Sequence, residues 1–308
     1  MKDKRIAVVM GGPSAEREVS LNTGRAILAA LQEKGYDAVG IDLEPKIFIE
    51  QLREAGAQAV FIAVHGKYGE DGLLQGALEL LGLPYTGSGV QASANAMDKG
   101  ISKRLFLQAG ISTPASRLYT AAQAKTAPLA REIVAAFGLP VVVKPAAQGS
   151  SIGVTIVEAE AALAEALDTA FRYDDHVLIE KFIKGRELTV AILGADDPEA
   201  LPVIEIVPHS GRYDYTSKYT KGATEYRCPA PLSQDATRAV QTEALAAFTL
   251  LGCRGIGRVD VMLDADGKPY VLEVNTIPGM TATSLVPKAA AAAGISFPDL
   301  CEKILLMA

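Results

Sequence analysis

Hydrophobic alternation and helical spacing divide the chain into three stretches. In the first, RIAVVMGG reads as a buried strand and SLNTGRAILAALQEKG as a helix capped by Ser20. DAVGIDL and AVFIAVHG read as further strands and GLLQGALELLG as a helix. Strand alternating with helix predicts a parallel α/β layer with loops at the strand ends. The pattern restarts at MDKGISKRLFLQAG, a basic helix. It continues through an alanine-rich helical stretch over 121–138, the strand LPVVVKP, a glycine-containing loop, the strand GVTIVEA, a helix and the strand HVLIEKFI. From GRELTVAILG and ALPVIEIVP onward the strands read as antiparallel, and helices are expected over 285–294 and 297–307. The expected domains are therefore 1–97, 98–183 and 184–308.

The segment RVDVMLDADGKPYVLEVNTIPGM, residues 258–280, reads as a hairpin turning at Asp264-Ala265-Asp266-Gly267. Val259, Val261 and Leu263 alternate with Arg258, Asp260 and Met262, the period of two of a strand with one buried face. The expected register sets Arg258 opposite Glu273 and Asp260 opposite Val271. Arg258, Asp260, Glu273 and Asn275 then share one face, with the two carboxylates as diagonal neighbours about 7–8 Å apart. Two acids and an amide on one face suit a cation held between them; the alternative is a solvated sheet face carrying an Arg258–Glu273 ion pair.

Composition narrows the class. A length of 308 residues accommodates two domains or three small ones, and 49% hydrophobic content supports sizeable cores. The net charge of -6 provides no general attraction to nucleic acid or to an anionic membrane, so any bound anion must be held by local groups. Cys228, Cys253 and Cys301 are widely spaced, which argues against a disulfide framework and a zinc site and fits a reducing cytoplasm. No run approaches the ~18 apolar residues of a membrane span.

Two familiar nucleotide signatures do not fit. GSGVQA at 87–92 matches G-x-G-x-x-A but follows a weak strand and lacks the acidic residue expected further on, and a Walker A pattern is absent. VVVKPAAQGSSIGV instead delivers Lys144 at the end of a strand and follows it with a small-residue loop whose N–H groups can approach phosphate oxygens.

GGPSAEREVS, HGKYGEDG, LPYTGSGVQAS, MDK, VVKPAAQGSSIGV, LIEKFIKGRELTV, KYTKGATEY, GRVDVML, LEVNTIPGMT and SLVPKAA occur in this order along essentially the whole chain. This series resembles the D-alanine–D-alanine ligase family of the ATP-grasp superfamily. The resemblance implies a mixed α/β and α+β fold of three domains: an N-terminal parallel α/β substrate domain, a central ATP-grasp domain, and a C-terminal ATP-grasp domain with the metal site and a lid loop. It implies ATP-dependent joining of two D-alanine molecules through an acylphosphate, for peptidoglycan precursor synthesis in the cytoplasm. Its cofactors would be ATP and Mg2+, with Mn2+ as a substitute and a monovalent cation as a further candidate. A homodimer is implied, with D-alanine and ATP as small-molecule partners and neither nucleic acid nor membrane.

Residue roles follow from the same resemblance. Lys99 and Lys144 would hold the nontransferred phosphates, with the Ser150 and Ser151 backbone closing over the nucleotide. Glu180 would accept from the adenine amine, Lys181 and Ile183 would offer backbone groups, Phe182 would pack on the base or in the core, and Glu187 would hold the ribose. Asp260, Glu273 and Asn275 would be the magnesium ligands. Glu16, Ser150 and Tyr219 would form a hydrogen-bonded triad around the first D-alanine, and Arg258 with the Gly279 N–H would face the carbonyl oxygen as it becomes tetrahedral. Ser284 and Leu285 at a helix N-terminus would take the second carboxylate. Lys218 would reach that carboxylate or the transferring phosphate. His65 would orient the first substrate or take part in deprotonating the amine; an ordinary loop histidine is the alternative, and Glu70 and Asp71 are weaker candidates. Residues 209–227, HSGRYDYTSKYTKGATEYR, would be the lid. AAQGSS lacks the charged residue that relatives can carry before the glycine, and Ile277 stands where some carry a small polar residue. Two other readings remain: another ATP-grasp carboxylate–amine ligase, which should lack the Glu16, Tyr219 and Ser284 set, and a noncatalytic nucleotide-binding regulator, which leaves Arg258, Asp260, Glu273 and Asn275 unexplained.

Overall fold

The structure is a computed structural model that describes residues 1–124, 129–149, 151–211, 217, 220 and 222–308. Three sheets organise it. The first is parallel, in the order β2 (Asp37–Asp42), β1 (Arg5–Met10), β3 (Ala59–Ile62). After Arg5, every residue of β1 is buried, because both faces of a parallel sheet are covered. Ile6, Val8 and Met10 face α1 (Arg17–Glu33) and α11 (Phe297–Leu306), whereas Ala7 and Val9 face α2 (Phe48–Glu54) and α3 (Leu73–Leu81). Ser20 does not cap α1. The helix begins at Arg17 with Glu16 at the N-cap position, and the buried Ser20 hydroxyl accepts from the Gly11 N–H and donates to the Ala63 carbonyl. The GSG segment leads into a helix, α4 (Val90–Met97), followed by α5 (Lys99–Gln108).

The second sheet is antiparallel, in the order β4 (Ser116–Thr120), β7 (His176–Lys181), β5 (Val141–Pro145), β6 (Thr155–Val157). Val141, Val143, Val177 and Ile179 point into a core shared with Ile133 of α7 (Leu129–Phe137) and with Leu163 and Leu167 of α8 (Leu163–Ala170). The four-residue α6 (Ala121–Ala124) precedes α7. Strand alternation sends Val142 and Lys144 to the opposite face, where Val142 pairs with Glu180 across the sheet.

The third sheet runs β11 (Thr224–Arg227), β10 (Ile204–Pro208), β8 (Gly185–Gly194), β12 (Gly255–Asp264), β13 (Pro269–Asn275), with the short β9 (Glu199–Ala200) on β8. Leu188, Val190, Val259, Val261, Val271 and Val274 pack beneath α9 (Gln234–Leu250), a helix whose Val240, Ala244, Ala247 and Phe248 form one apolar face. Ala92, Ala96, Phe106 and Ile111 join this core and anchor α4 and α5 to it. Glycine is required at 257, where a Cβ would lie 2.5 Å from the Phe248 ring.

The hairpin register differs from the expected one. Arg258 pairs with Asn275 and Asp260 directly with Glu273, whereas Val261 pairs with Val271; the ladder shifts between Asp260 and Val261. Leu272 is the extra residue of a β-bulge. Without the bulge, Val271 and Glu273 would share a face; with it, Val271 is buried in the core and Glu273 remains beside Asp260. The expected face of Arg258, Asp260, Glu273 and Asn275 therefore survives with a tighter acid pair.

Candidate active site

A cleft of about 680 Å³ lies between the second and third sheets. Lys99, Lys144, Ser151, Glu180, Lys181, Phe182, Ile183, Glu187, Asp260 and Glu273 all line it. Its size falls within the range of small-molecule sites, and Val142, Ile156, Ile206, Met262 and Leu272 supply apolar walls. Lys99 opens α5, beside the N-cap Asp98 that accepts from the Ile101 N–H. Its ammonium donates to the Gln148 carbonyl at 2.7 Å and lies 3.2 Å from Glu273. The Lys181 N–H is used on the Ala115 carbonyl at 2.8 Å, which leaves the Lys181 carbonyl as its backbone contribution to the cleft.

Glu180 has a different setting from the one expected. Its carboxylate lies between two ammonium groups, 2.5 Å from Lys103 and 2.7 Å from Lys144. Burial, the largest influence, works against its charge, yet the two lysines outweigh it and hold the carboxyl below its ordinary range. For Lys103, burial wins over the attraction of Glu180 and moves the ammonium down to about 8. Lys103 was not legible as a site residue, since in the sequence it belongs to an ordinary basic helix.

Asp260 is held by four donors. Arg258 donates from Nε at 2.9 Å and Nη2 at 2.8 Å, Thr189 from its hydroxyl at 2.6 Å, and Asn275 from its amide at 3.2 Å. Asp260, Glu273 and Asn275 form an all-oxygen donor set of two carboxylates and an amide once Asn275 presents its carbonyl oxygen. Magnesium in phosphoryl-transfer sites commonly uses one or two carboxylates together with substrate phosphates, so this set fits it.

A second cleft of about 300 Å³ adjoins the first. Glu16, His65, Arg258, Asn275, Gly279, Ser284 and Leu285 line it, and Glu273 lines both clefts. The Glu16 carboxylate lies between Gly66 and Gly149, at each of which a Cβ would come within 2.8 Å of its Oε2. His65 is buried three residues beyond the end of β3. Its Nδ1 meets the Ile277 carbonyl at 2.9 Å and its Nε2 the Thr23 hydroxyl at 3.0 Å, with Glu70 at 3.8 Å. Burial is the largest influence on the imidazole and opposes protonation, but Glu70, Glu16 and the Ile277 carbonyl together raise it above its ordinary value. Ser284 is the N-cap residue of α10 (Leu285–Ala292); its hydroxyl accepts from the Thr281 N–H at 3.0 Å rather than capping the helix. Gly279 admits it, since a Cβ there would lie 3.0 Å from the Ser284 hydroxyl.

Asp71 is turned to local structure, accepting from the Tyr68 and Leu73 N–H groups, and Glu70 accepts from the Gly66 N–H. Ser150, Lys218 and Tyr219 lie outside the described residues, as does part of the 209–227 segment. Thr189 and Tyr226, the latter lining the second cleft, were also missed. Tyr226 had a signal, since it closes the KYTKGATEY motif.

Two sheets gripping a charged cleft, with a carboxylate pair at the junction with a smaller polar one, define an ATP-grasp type of enzyme. The comparisons narrow the class. Family models described as D-ala D-ala ligase C-terminus and D-ala D-ala ligase N-terminus match residues 105–306 and 46–88. D-alanine–D-alanine ligases of Pelotomaculum thermopropionicum and Desulforudis audaxviator are 48% and 50% identical to the chain, each over 99% of it and over 96% and 98% of their own lengths. The crystal structure of the D-alanine–D-alanine ligase of Bacillus anthracis complexed with ATP matches at a TM-score of 0.85 and 38% identity, covering 99% of this chain and 97% of that one. The VanG D-Ala:D-Ser ligase of Enterococcus faecalis matches at a TM-score of 0.84 and 32% identity, over 99% of each chain. The chain belongs to the D-alanine–D-alanine ligase family.

Proposed function

We propose that the protein joins two D-alanine molecules into D-alanyl-D-alanine while ATP is split to ADP and phosphate, supplying peptidoglycan precursors in the cytoplasm. The observation that carries this reading is the position of Glu273, which lines both the nucleotide-sized cleft and the smaller polar one. Groups bound in the two clefts meet at that carboxylate.

A carboxylate does not acylate an amine at neutral pH, so the first D-alanine must be activated. Its carboxylate oxygen attacks the γ-phosphorus of ATP and ADP departs, giving an acylphosphate. The amine of the second D-alanine then attacks the carbonyl carbon, and the tetrahedral intermediate collapses with loss of phosphate and of the amine proton. Lys99 and Lys144 neutralise phosphate charge at the floor of the larger cleft, with the Ser151 backbone beside them. Apolar Met262, Leu272 and Phe182 flank the base, the Glu180 carboxylate and the Lys181 carbonyl accept from its amine, the Ile183 N–H donates to it, and Glu187 holds the ribose. Magnesium, or manganese in its place, would be held by Asp260, Glu273 and Asn275 and would supply charge neutralisation on the transferring phosphate.

In the smaller cleft Glu16 pairs with the ammonium of the first D-alanine, with Ser150 and Tyr219 proposed as its companions. His65, fixed by Thr23 and Ile277, orients that substrate. Arg258 and the Gly279 N–H stabilise the developing oxyanion, and Ser284 with the α10 N-terminus at Leu285 receives the second carboxylate. Lys218 belongs to the segment proposed to close over the nucleotide. The homodimer implied by the family is part of the same proposal. Leu73 and Leu80, two turns apart on α3, are exposed, as is the nearby Val90.

ADP release measured with D-alanine, D-serine, L-alanine, D-lactate and glycine, with product identification, tests the reading. D-alanine should support turnover with D-alanyl-D-alanine as product. ADP release that ignores D-alanine would overturn it, and preferential use of D-serine or D-lactate at the second position would move the chain to another branch of the family.

A further inference from the structure

Lys103 is 1% exposed, on the face of α5 turned to the interior. A lysine so deeply buried needs specific partners to carry its charge. It has two: its ammonium donates to the Thr113 hydroxyl at 2.6 Å and lies 2.5 Å from Oε1 of Glu180. The other Glu180 oxygen lies 2.7 Å from Lys144. Thr113 in turn donates to the Val271 carbonyl at 2.7 Å, and the Val271 N–H donates to the Ser112 carbonyl at 2.8 Å. The chain of contacts thus runs from Glu180 on β7, through Lys103 and the Ser112–Thr113 segment, to the strand that carries Glu273. Glu180 and Lys144 line the nucleotide cleft but Lys103 does not, so whatever Lys103 does for the nucleotide it does through Glu180.

We propose that Lys103 is a positioning residue for base recognition: it fixes the Glu180 carboxylate, ionised and in one orientation, as the acceptor for the exocyclic amine of adenine. It thereby sets the preference for ATP over triphosphates whose base carries a carbonyl at that position. This rests on the reading of Glu180 as the amine acceptor. A buried carboxylate with an ammonium 2.5 Å from one oxygen and 2.7 Å from the other is held in place by charge and stays an acceptor only, which repels a carbonyl oxygen. With Lys103 removed, the Oε1 oxygen stays buried without its ammonium. The group then rotates or takes up a proton, and a protonated carboxyl can donate to a carbonyl.

The experiment compares ATP with inosine triphosphate, which has a 6-carbonyl where ATP has the 6-amine, in the full-length enzyme with D-alanine. Lys103→Met should raise KM for ATP more than it lowers kcat, and should reduce the ATP-to-inosine-triphosphate ratio of kcat/KM about tenfold. Glu180→Gln should reduce the same ratio, and the double variant should fall no further than Glu180→Gln alone, because Lys103 acts through that carboxylate. Thr113→Val removes a hydroxyl and no charge; it should lower the ratio by a smaller factor, and it decides the matter if Lys103→Met does not fold. Equal losses with both nucleotides in Lys103→Met and an unchanged ratio in Thr113→Val, while Glu180→Gln does narrow the ratio, would make Lys103 purely structural and leave the Glu180 reading intact. An unchanged ratio in Glu180→Gln would remove that reading and the inference with it.

Discussion

Replacing Glu273 by Gln removes one negative charge at the junction of the two clefts and keeps the side chain's shape. In the wild type, Asp260 and Glu273 are balanced by Arg258, 2.8 Å from Asp260, and Lys99, 3.2 Å from Glu273, so the four side chains sum to zero. The variant carries +1 where a dication and a polyphosphate must meet. One unit charge acting on another at ~4 Å is worth about 4 kcal/mol at an effective dielectric of ~20. The Glu273 side chain is 24% exposed, and solvent screening at that exposure brings the figure to roughly 3 kcal/mol. That is about a hundredfold, divided between weaker magnesium binding and slower phosphoryl transfer. Turnover followed by ADP release across a magnesium titration should show both a higher midpoint and a lower plateau. The melting temperature should change little, because Lys99 retains the Gln148 carbonyl. A variant with the wild-type midpoint and plateau would refute the assignment of Glu273 to the metal and to the transferring phosphate.

Gly149→Ala places a Cβ 2.8 Å from Glu16 Oε2, the end of a flexible side chain, so the carboxylate should shift and KM for the first D-alanine rise about tenfold with little loss of stability; an unchanged KM would detach Glu16 from that substrate. Tyr219→Phe should raise the ester-to-dipeptide product ratio when D-alanine and D-lactate compete near neutral pH, and a fixed ratio would reduce Tyr219 to packing. Because the folded-state value of His65 is raised, its stabilising contribution is complete below about pH 6.5 and is lost as pH rises through the raised value. The difference in melting temperature between the wild type and His65→Gln should therefore shrink as pH rises through that window, and a pH-independent difference would contradict the Glu70 contact as its cause.

The sequence exposed some parts of this fold and hid others for physical reasons. LPVVVKP announced its two faces, because Val141 and Val143 must be apolar for the core while Lys144 follows strand alternation into the cleft. Arg258, Asp260, Glu273 and Asn275 were legible as one face by the same period. The bulge at Leu272 was not, since it carries neither glycine nor proline and its displacement is set by Val271 packing beneath α9. That helix is faint in the sequence even though Val240, Ala244, Ala247 and Phe248 keep helical spacing, because the alanines weaken its apolar face. Helix α2 is seven residues long with only Phe48 and Leu52 buried, too little periodicity to separate it from a loop. Lys103 was invisible for a different reason. Its partner Glu180 comes from a strand remote in sequence and Thr113 from the irregular segment after its own helix, and a lysine on a basic helix carries no mark of burial until the fold brings them together.

Oxygen-18 transfer tests whether the carboxylate of the first D-alanine attacks the γ-phosphorus of ATP. D-alanine labelled in both carboxylate oxygens is turned over with unlabelled ATP, and the released phosphate and dipeptide are analysed by mass spectrometry. Each released phosphate should carry one labelled oxygen and the peptide carbonyl should retain one, because the C–O bond of the acylphosphate breaks when the amine attacks. Unlabelled phosphate formed alongside the dipeptide would contradict it.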